Sequence, residues 1–95
     1  MSDRSTPSGI RFGGQLWPQN TSWPEFRDAA LAMERAGWDG IWTWDHLMPI
    51  AGPTDRPIFE GWTAITAVAA LTSRATVGLM VGATTLRNPG LVAKM

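Results

Sequence analysis

Strand-like and helix-like segments alternate along this chain, and no other sequence feature constrains its fold as strongly. The predicted order is a strand at residues 10–17, a helix at 23–36, a strand at 40–46, a helix at 59–72, a strand at 76–82 and a helix beginning after Asn88. A β-α-β-α-β-α order favours parallel strands, because right-handed crossovers place successive strands side by side in one sheet.

The first helix has the clearest boundary signals. Ser22 and Glu25 stand at capping-box spacing at its start, and Gly37 is suited to a left-handed cap at its end. Apolar side chains recur between them at helical spacing, at Phe26, Ala30 and Met33. The segment therefore predicts an amphipathic helix with one face packed on a sheet.

The third strand pattern, at residues 76–82, is nearly all apolar, as a parallel strand covered on both faces requires. Three βα units are less than half of an eight-fold barrel, which typically needs ~250 residues. The chain has 95 residues and stops after the third helix has begun, so we expect the beginning of a longer protein. Residues 1–9 are rich in Ser, Pro and Gly, and we expect a flexible N-terminal lead there.

Composition excludes several kinds of partner and site. Lys+Arg and Asp+Glu number 8 each, so neither nucleic acid nor an anionic membrane surface is an expected partner. The absence of Cys excludes disulfides and thiolate chemistry, and a single His excludes a multi-His metal site. No apolar stretch approaches the ~20 residues of a membrane-spanning helix. The polar start lacks the apolar core of a secretory signal, so we expect a cytoplasmic protein.

Ligands of parallel α/β folds bind at the carboxyl ends of the strands, and three groups of residues would meet at that rim here. They are residues 15–17, 45–46 and 80–84. Asp45 and His46 are the sharpest candidates, because His can move a proton near neutral pH and a neighbouring carboxylate favours its charged form. A structural interpretation stays open, in which Asp45 caps the following loop and His46 is a satisfied, partly buried polar residue.

Gly78 and Gly82 also allow two interpretations. Glycines at the tip of a buried strand permit a bulge where a flat ligand meets the backbone. The alternative is that they allow close packing between a helix and the sheet.

Most of the 6 Trp residues are expected in the core and between helices and sheet. Trp17 and Trp44 are the exceptions, since they lie at strand ends where an aromatic wall could form. Arg87 precedes a helix and would either meet a phosphate or be a solvated loop charge. Residues 47–58 contain three prolines and form a loop of a length that is often functional.

Three segments in a fixed order carry a resemblance to a known family. They are residues 36–47 (AGWDGIWTWDHL), 60–65 (EGWTAI) and 76–95 (TVGLMVGATTLRNPGLVAKM). Together they resemble the luciferase-like monooxygenase family, in particular its branch that uses the deazaflavin coenzyme F420. The resemblance implies that residues 10–95 are an incomplete α/β domain, namely the three N-terminal βα units of a (β/α)8 TIM barrel.

The resemblance also implies roles for the matching positions. Asp45 matches an acid that hydrogen-bonds the deazaflavin ring system, and His46 matches the histidine placed to move a proton during hydride transfer. Leu79 and Met80 match a bulge, often with a non-prolyl cis peptide bond, that supports the back of the ring.

One position departs from the family pattern. Gly82 falls where many relatives carry a Thr that contacts the cofactor, so that hydroxyl is lost unless Thr84 replaces it. The Asp–His pair and the proline loop after it favour coenzyme F420 over FMN. The implied activity is hydride transfer between coenzyme F420 and an unknown organic substrate, because deazaflavins transfer an electron pair as a single hydride and react poorly with oxygen.

Two other interpretations stay open, an FMN-dependent monooxygenase that inserts one oxygen atom from O2 and a truncated, non-enzymatic product. The 95-residue chain alone is expected to have no turnover, because the later part of the rim would be missing. The predicted partners are the deazaflavin or flavin and a small-molecule substrate. A homodimer is one option for the full-length form.

Overall fold

The structure is a computed structural model, and it describes residues 9–95. The predicted flexible lead, apart from the exposed Gly9, lies outside the described residues. The elements are β1 (Gly13–Gln15), α1 (Trp23–Arg35), β2 (Gly40–Thr43), α2 (Gly61–Leu71), β3 (Thr76–Leu79) and α3 (Pro89–Lys94). Their order is the predicted one.

The three strands form one parallel sheet in the order β1-β2-β3, which confirms the predicted pairing. Ile41 of β2 lies opposite Gly14 of β1 and Val77 of β3. The regular ladder is shorter than each predicted strand. Before β1, the Phe12 N–H is bound by the Asp39 carboxylate, at 2.8 Å, rather than by a neighbouring strand.

Single hydrogen bonds extend the pairing past the carboxyl ends of the strands. The Leu16 N–H donates to the Trp42 carbonyl and the Met80 N–H to the Thr43 carbonyl, each at 2.7 Å. The predicted strand ends at residues 17, 46 and 82 were therefore too late by two or three positions. Asp45 follows β2 instead of ending it.

Helix α1 begins at the predicted residue and ends one residue earlier than predicted, at Arg35. The Ser22 hydroxyl accepts from the Glu25 N–H at 3.3 Å, and the Glu25 carboxylate accepts from the Ser22 N–H at 2.9 Å. Gly37 follows with a φ of 92°, in the left-handed region.

Helix α2 begins two residues later than predicted. The Glu60 carboxylate accepts from the Trp62 N–H at 3.2 Å and from the Thr63 N–H at 2.7 Å, so Glu60 is the N-cap and not a helical residue. At the other end Thr72 is extended, which ends the helix at Leu71.

Helices α1 and α2 pack against one face of the sheet and enclose the core. Its buried side chains are Phe26, Ala30, Ile41, Ala64, Ile65 and Val68. On the opposite face of β2 the Trp42 indole lies against the backbones of Gly13, Gly40 and Gly78. Strand β3 was predicted to be covered on both faces. Val77 and Leu79 face the core, whereas Gly78 on the other face lies against Trp42.

The proline loop is attached to the segment that follows β1. Gln19 is 1% exposed, its amide oxygen accepts from the Ile50 N–H at 2.9 Å, and its amide nitrogen donates to the Ala51 carbonyl at 3.2 Å. Gln19 also forms an antiparallel bridge with Ile58. One buried side chain therefore orders a loop that the sequence predicted to lack structure of its own.

None of the helices in the described part of the chain is both long enough and apolar enough to span a bilayer.

Candidate functional site

The carboxyl ends of the three strands meet at one rim, as the topology predicted. The Gln15 side-chain amide, at the end of β1, donates to the Met80 carbonyl after β3. The Asp45 carboxylate, after β2, accepts from the Ala83 N–H at 3.2 Å. The three predicted groups of rim residues are therefore neighbours in space.

Asp45 is buried, with 4% of its surface exposed. Its Oδ2 accepts from the Ala83 N–H and from Arg87 Nη1, the latter at 3.1 Å. Its backbone N–H donates to the Val81 carbonyl at 3.2 Å. All of these bonds go to the segment after β3, so the interpretation of Asp45 as a cap for the loop at residues 47–58 is wrong.

His46 is exposed at the rim. Its ring centroid lies 6.1 Å from that of Trp44, at an interplanar angle of 62°. The alternative of a partly buried histidine is wrong for this structure. An exposed imidazole beside an aromatic surface can reach a ligand and exchange a proton with it.

Two ionic residues of this site, Arg87 and Glu60, were not among the predicted site residues. Arg87 donates through Nη1 to Asp45 and through Nη2 to Glu60, and its side chain is 19% exposed. Neither interpretation of Arg87, as a phosphate ligand or as a solvated charge, describes this pairing. Its place three positions after the predicted rim residues 80–84 was the signal that could have identified it.

Glu60 is held in its ionised form by its neighbours. Burial raises the pKa of its carboxyl, but the hydroxyl and N–H of Thr63, the Trp62 N–H and the Arg87 charge together keep the pKa below its usual value. Glu60 therefore caps α2 and supplies a negative charge to Arg87 at the same time.

The turn after β3 presents backbone to the rim. Met80 and Val81 are 52% and 67% exposed, and the peptide bond between them is cis. The resemblance placed such a bulge at Leu79 and Met80. Leu79 instead packs against the core, so the exposed part of the turn begins at Met80. Thr84, further along, is exposed.

The two glycines have different surroundings. A Cβ on Gly78 would lie 2.4 Å from the Trp42 ring, so Gly78 is needed for packing, although against Trp42 and not against a helix. A Cβ on Gly82 would meet only Leu79, at 3.8 Å, so packing does not require glycine there. Gly82 lies next to Ala83, whose N–H binds Asp45.

Trp17 and Trp44 form the predicted aromatic wall, edge to face with centroids 5.7 Å apart. Trp17 is 56% exposed, whereas Trp44 is buried. The Trp44 Nε1–H is buried and finds no hydrogen-bond partner among residues 9–95. The rim thus combines an exposed indole, an exposed turn, an imidazole and an unsatisfied donor, a set that fits a flat ligand with polar edges.

Comparison with known proteins agrees with this architecture. A relative from Nakamurella multipartita, an F420-dependent glucose-6-phosphate dehydrogenase, is 34% identical over 91 residues, which are 94% of this chain and 26% of the relative. The chain thus spans about a quarter of the length of that relative. The family model for luciferase-like monooxygenases matches residues 6–95. The chain belongs to the luciferase-like monooxygenase family.

Proposed function

We propose that the protein carrying this sequence is an F420-dependent oxidoreductase that transfers hydride between coenzyme F420 and an organic substrate. The observation that carries the proposal is that the buried Asp45 and the exposed His46 are adjacent in the chain and lie beside the exposed turn at Met80. Family membership and the name of the Nakamurella relative support the choice of an oxidoreductase and of the deazaflavin.

The chain's own residues have separate tasks in this proposal. Asp45 accepts a hydrogen bond from the ring system, and the backbone at Met80 and Gly82, with Leu79 beneath it, supports the flat face of the ring. Thr84 offers a hydroxyl to the polar edge of the cofactor. When bound, the deazaflavin supplies the site that accepts or releases hydride.

His46 handles the proton that accompanies the hydride. For oxidation of an alcohol, a neutral imidazole nitrogen of His46 would accept the hydroxyl proton, and in the reverse reaction it would return that proton to the oxygen. The exposure of His46 allows the proton to pass on to solvent. Substitution by Gln keeps the size and polarity of the side chain but removes this step.

The test is cofactor binding and turnover by the full-length protein. Fluorescence titration should show binding of F420 that Asp45→Asn weakens by about tenfold, while the exposed Asp28→Asn on α1 leaves it unchanged. His46→Gln should keep F420 binding and lower kcat by about 10²-fold, in a substrate screen that begins with glucose 6-phosphate. Binding of FMN without binding of F420 would reverse the choice of cofactor and favour the monooxygenase alternative.

The isolated 95-residue chain should show no turnover, because this part of the rim can contact a ligand on one side only. Steady-state hydride transfer by this polypeptide alone would contradict that expectation.

A further inference from the structure

The Arg87 guanidinium bridges two carboxylates that come from different parts of the chain. Nη1 binds Asp45 Oδ2 at 3.1 Å, and Nη2 binds Glu60 Oε1. The Asp45 side chain is 2% exposed and the Arg87 side chain 19%, so water screens this pair only weakly. A carboxylate this deeply buried needs a charged or hydrogen-bonding partner, because burying an unpaired charge is strongly unfavourable.

These contacts join three segments of the chain: the one after β2, the start of α2, and the loop between β3 and α3. Asp45 follows β2, Glu60 caps α2, and Arg87 lies between β3 and α3. Oδ2 of Asp45 also accepts from the Ala83 N–H, so the same oxygen is held from two directions. The backbone bond from Asp45 to the Val81 carbonyl joins the two chain segments, and Arg87 holds the carboxylate itself toward Ala83.

The packing around Asp45 leaves it few other positions. The backbone of Gly61 lies against Asp45, such that a Cβ on Gly61 would come within 3.2 Å of the Asp45 Cβ. Without Arg87, the buried carboxylate would lose its charged partner, and the Ala83 N–H would be the remaining donor to Oδ2.

We propose that Arg87 is a positioning residue for Asp45: it fixes Oδ2 against Ala83, so that the acid meets a ligand at the rim in one orientation. The proposal rests on the proposed function only where it takes that ligand to be F420. The bonds to Asp45 and Glu60 occupy one N–H on each of Nη1 and Nη2.

A double-mutant cycle in the full-length protein separates positioning from direct contact. Arg87→Met should weaken F420 binding by about tenfold or more, and Arg87→Lys by less, because one ammonium cannot span both carboxylates. In an Asp45→Asn background, Arg87→Met should change the Kd by less than about twofold. The exposed Arg35→Met is the matched control and should leave the Kd unchanged.

Hydrogen exchange of the Ala83 amide in the ligand-free protein is the independent measurement. Arg87→Met should speed exchange at Ala83 while the core amide of Val68 stays protected, which also shows that the variant is folded. Unchanged exchange at Ala83, or Arg87→Met and Asp45→Asn effects on the Kd that simply add, would overturn the proposal. An unchanged Kd in Asp45→Asn would instead refute the cofactor contact of the proposed function, and Ala83 exchange would still decide the role of Arg87.

Discussion

At the scale of single residues, close backbone contacts and long-range ion pairs define this site. Asp45 and His46 could be identified from the sequence because they are adjacent and follow a strand pattern. The partnership of Arg87 with Asp45 spans 42 positions, and that of Arg87 with Glu60 spans 27. No local pattern encodes such pairs, so the sequence placed Arg87 near the rim without showing its partners.

Gly61 is the glycine whose replacement should disturb the rim most directly. An added Cβ would lie 2.8 Å from the Trp44 carbonyl oxygen and 3.0 Å from the Asp45 Cα, and backbone atoms cannot move aside cheaply. We expect Gly61→Ala to lower the free energy of unfolding by about 1–3 kcal/mol, measured by urea denaturation.

Gly82→Ala is the matched control, because its Cβ would make one ordinary contact, at 3.8 Å. It should change the free energy of unfolding by no more than about 0.5 kcal/mol. Equal losses in the two variants would refute the role assigned to Gly61.

At the scale of elements, capping residues determine where the helices begin and how they are joined. The Ser22–Glu25 capping box could be predicted, since its residues follow one another at a fixed spacing. Glu60 was assigned to the helix because an acidic residue fits both a first turn and a cap. The hydrogen bonds that the Glu60 carboxylate accepts from the N–H groups of Trp62 and Thr63 show that Glu60 is the cap and not a first-turn residue.

Glu34 joins the end of α1 to the connection between α2 and β3. Its carboxylate accepts from the N–H groups of Ser73, at 2.8 Å, and Arg74, at 2.6 Å. In return, the Arg74 guanidinium donates to the Glu34 and Trp38 carbonyls. The Ser73 and Arg74 N–H groups lower the pKa of Glu34 from its ordinary value of 4.5.

The pH dependence of stability should report this connection. Because the folded state lowers the pKa of Glu34, its ionised form contributes stability above pH 4.5, and the contribution is lost as the pH falls through the lower, folded value. Urea denaturation should therefore show Glu34→Gln less stable than the wild type at pH 7, with the difference shrinking below pH 4.5. Asp28→Asn, on the exposed surface of the same helix, is the control, and a difference independent of pH would contradict the assignment.

At the scale of the whole molecule, the order of the strands and helices and the parallel direction of the strands were predictable. The exact ends of the strands were not predictable, because strand-forming residues such as Ile10 and Trp44 extend the sequence pattern beyond the residues that pair in the sheet. The sequence pattern also did not show that α1 and α2 both pack on one face of the sheet and that Trp42 lies on the other. An apolar run predicts a buried strand without showing whether a helix or a single Trp42 side chain covers each side.

The open sheet predicts how the 95-residue chain behaves alone. Within residues 9–95, strands β1 and β3 each pair with one neighbour, so each leaves an edge with unpaired backbone groups. Light scattering should show association that grows with concentration in the roughly micromolar range and above.

A charge near one edge should reduce that association. Phe12 precedes β1 and is 62% exposed, so Phe12→Lys should lower the apparent mass, whereas Leu91→Lys on α3, at a site 53% exposed, should not. A monomer at every concentration, or the same effect from both substitutions, would contradict the assignment of the edges.

The contacts of Gln19 have a consequence for the arrival of a ligand. Because one buried amide binds both Ile50 and Ala51, the conformational freedom of the proline loop is lost when the chain folds. A ligand that contacts this loop therefore meets a segment that is already ordered, which leaves more of the contact energy for affinity. Insertions between residues 52 and 57 would reshape the loop while leaving the bonds of Gln19 to Ile50 and Ala51 in place.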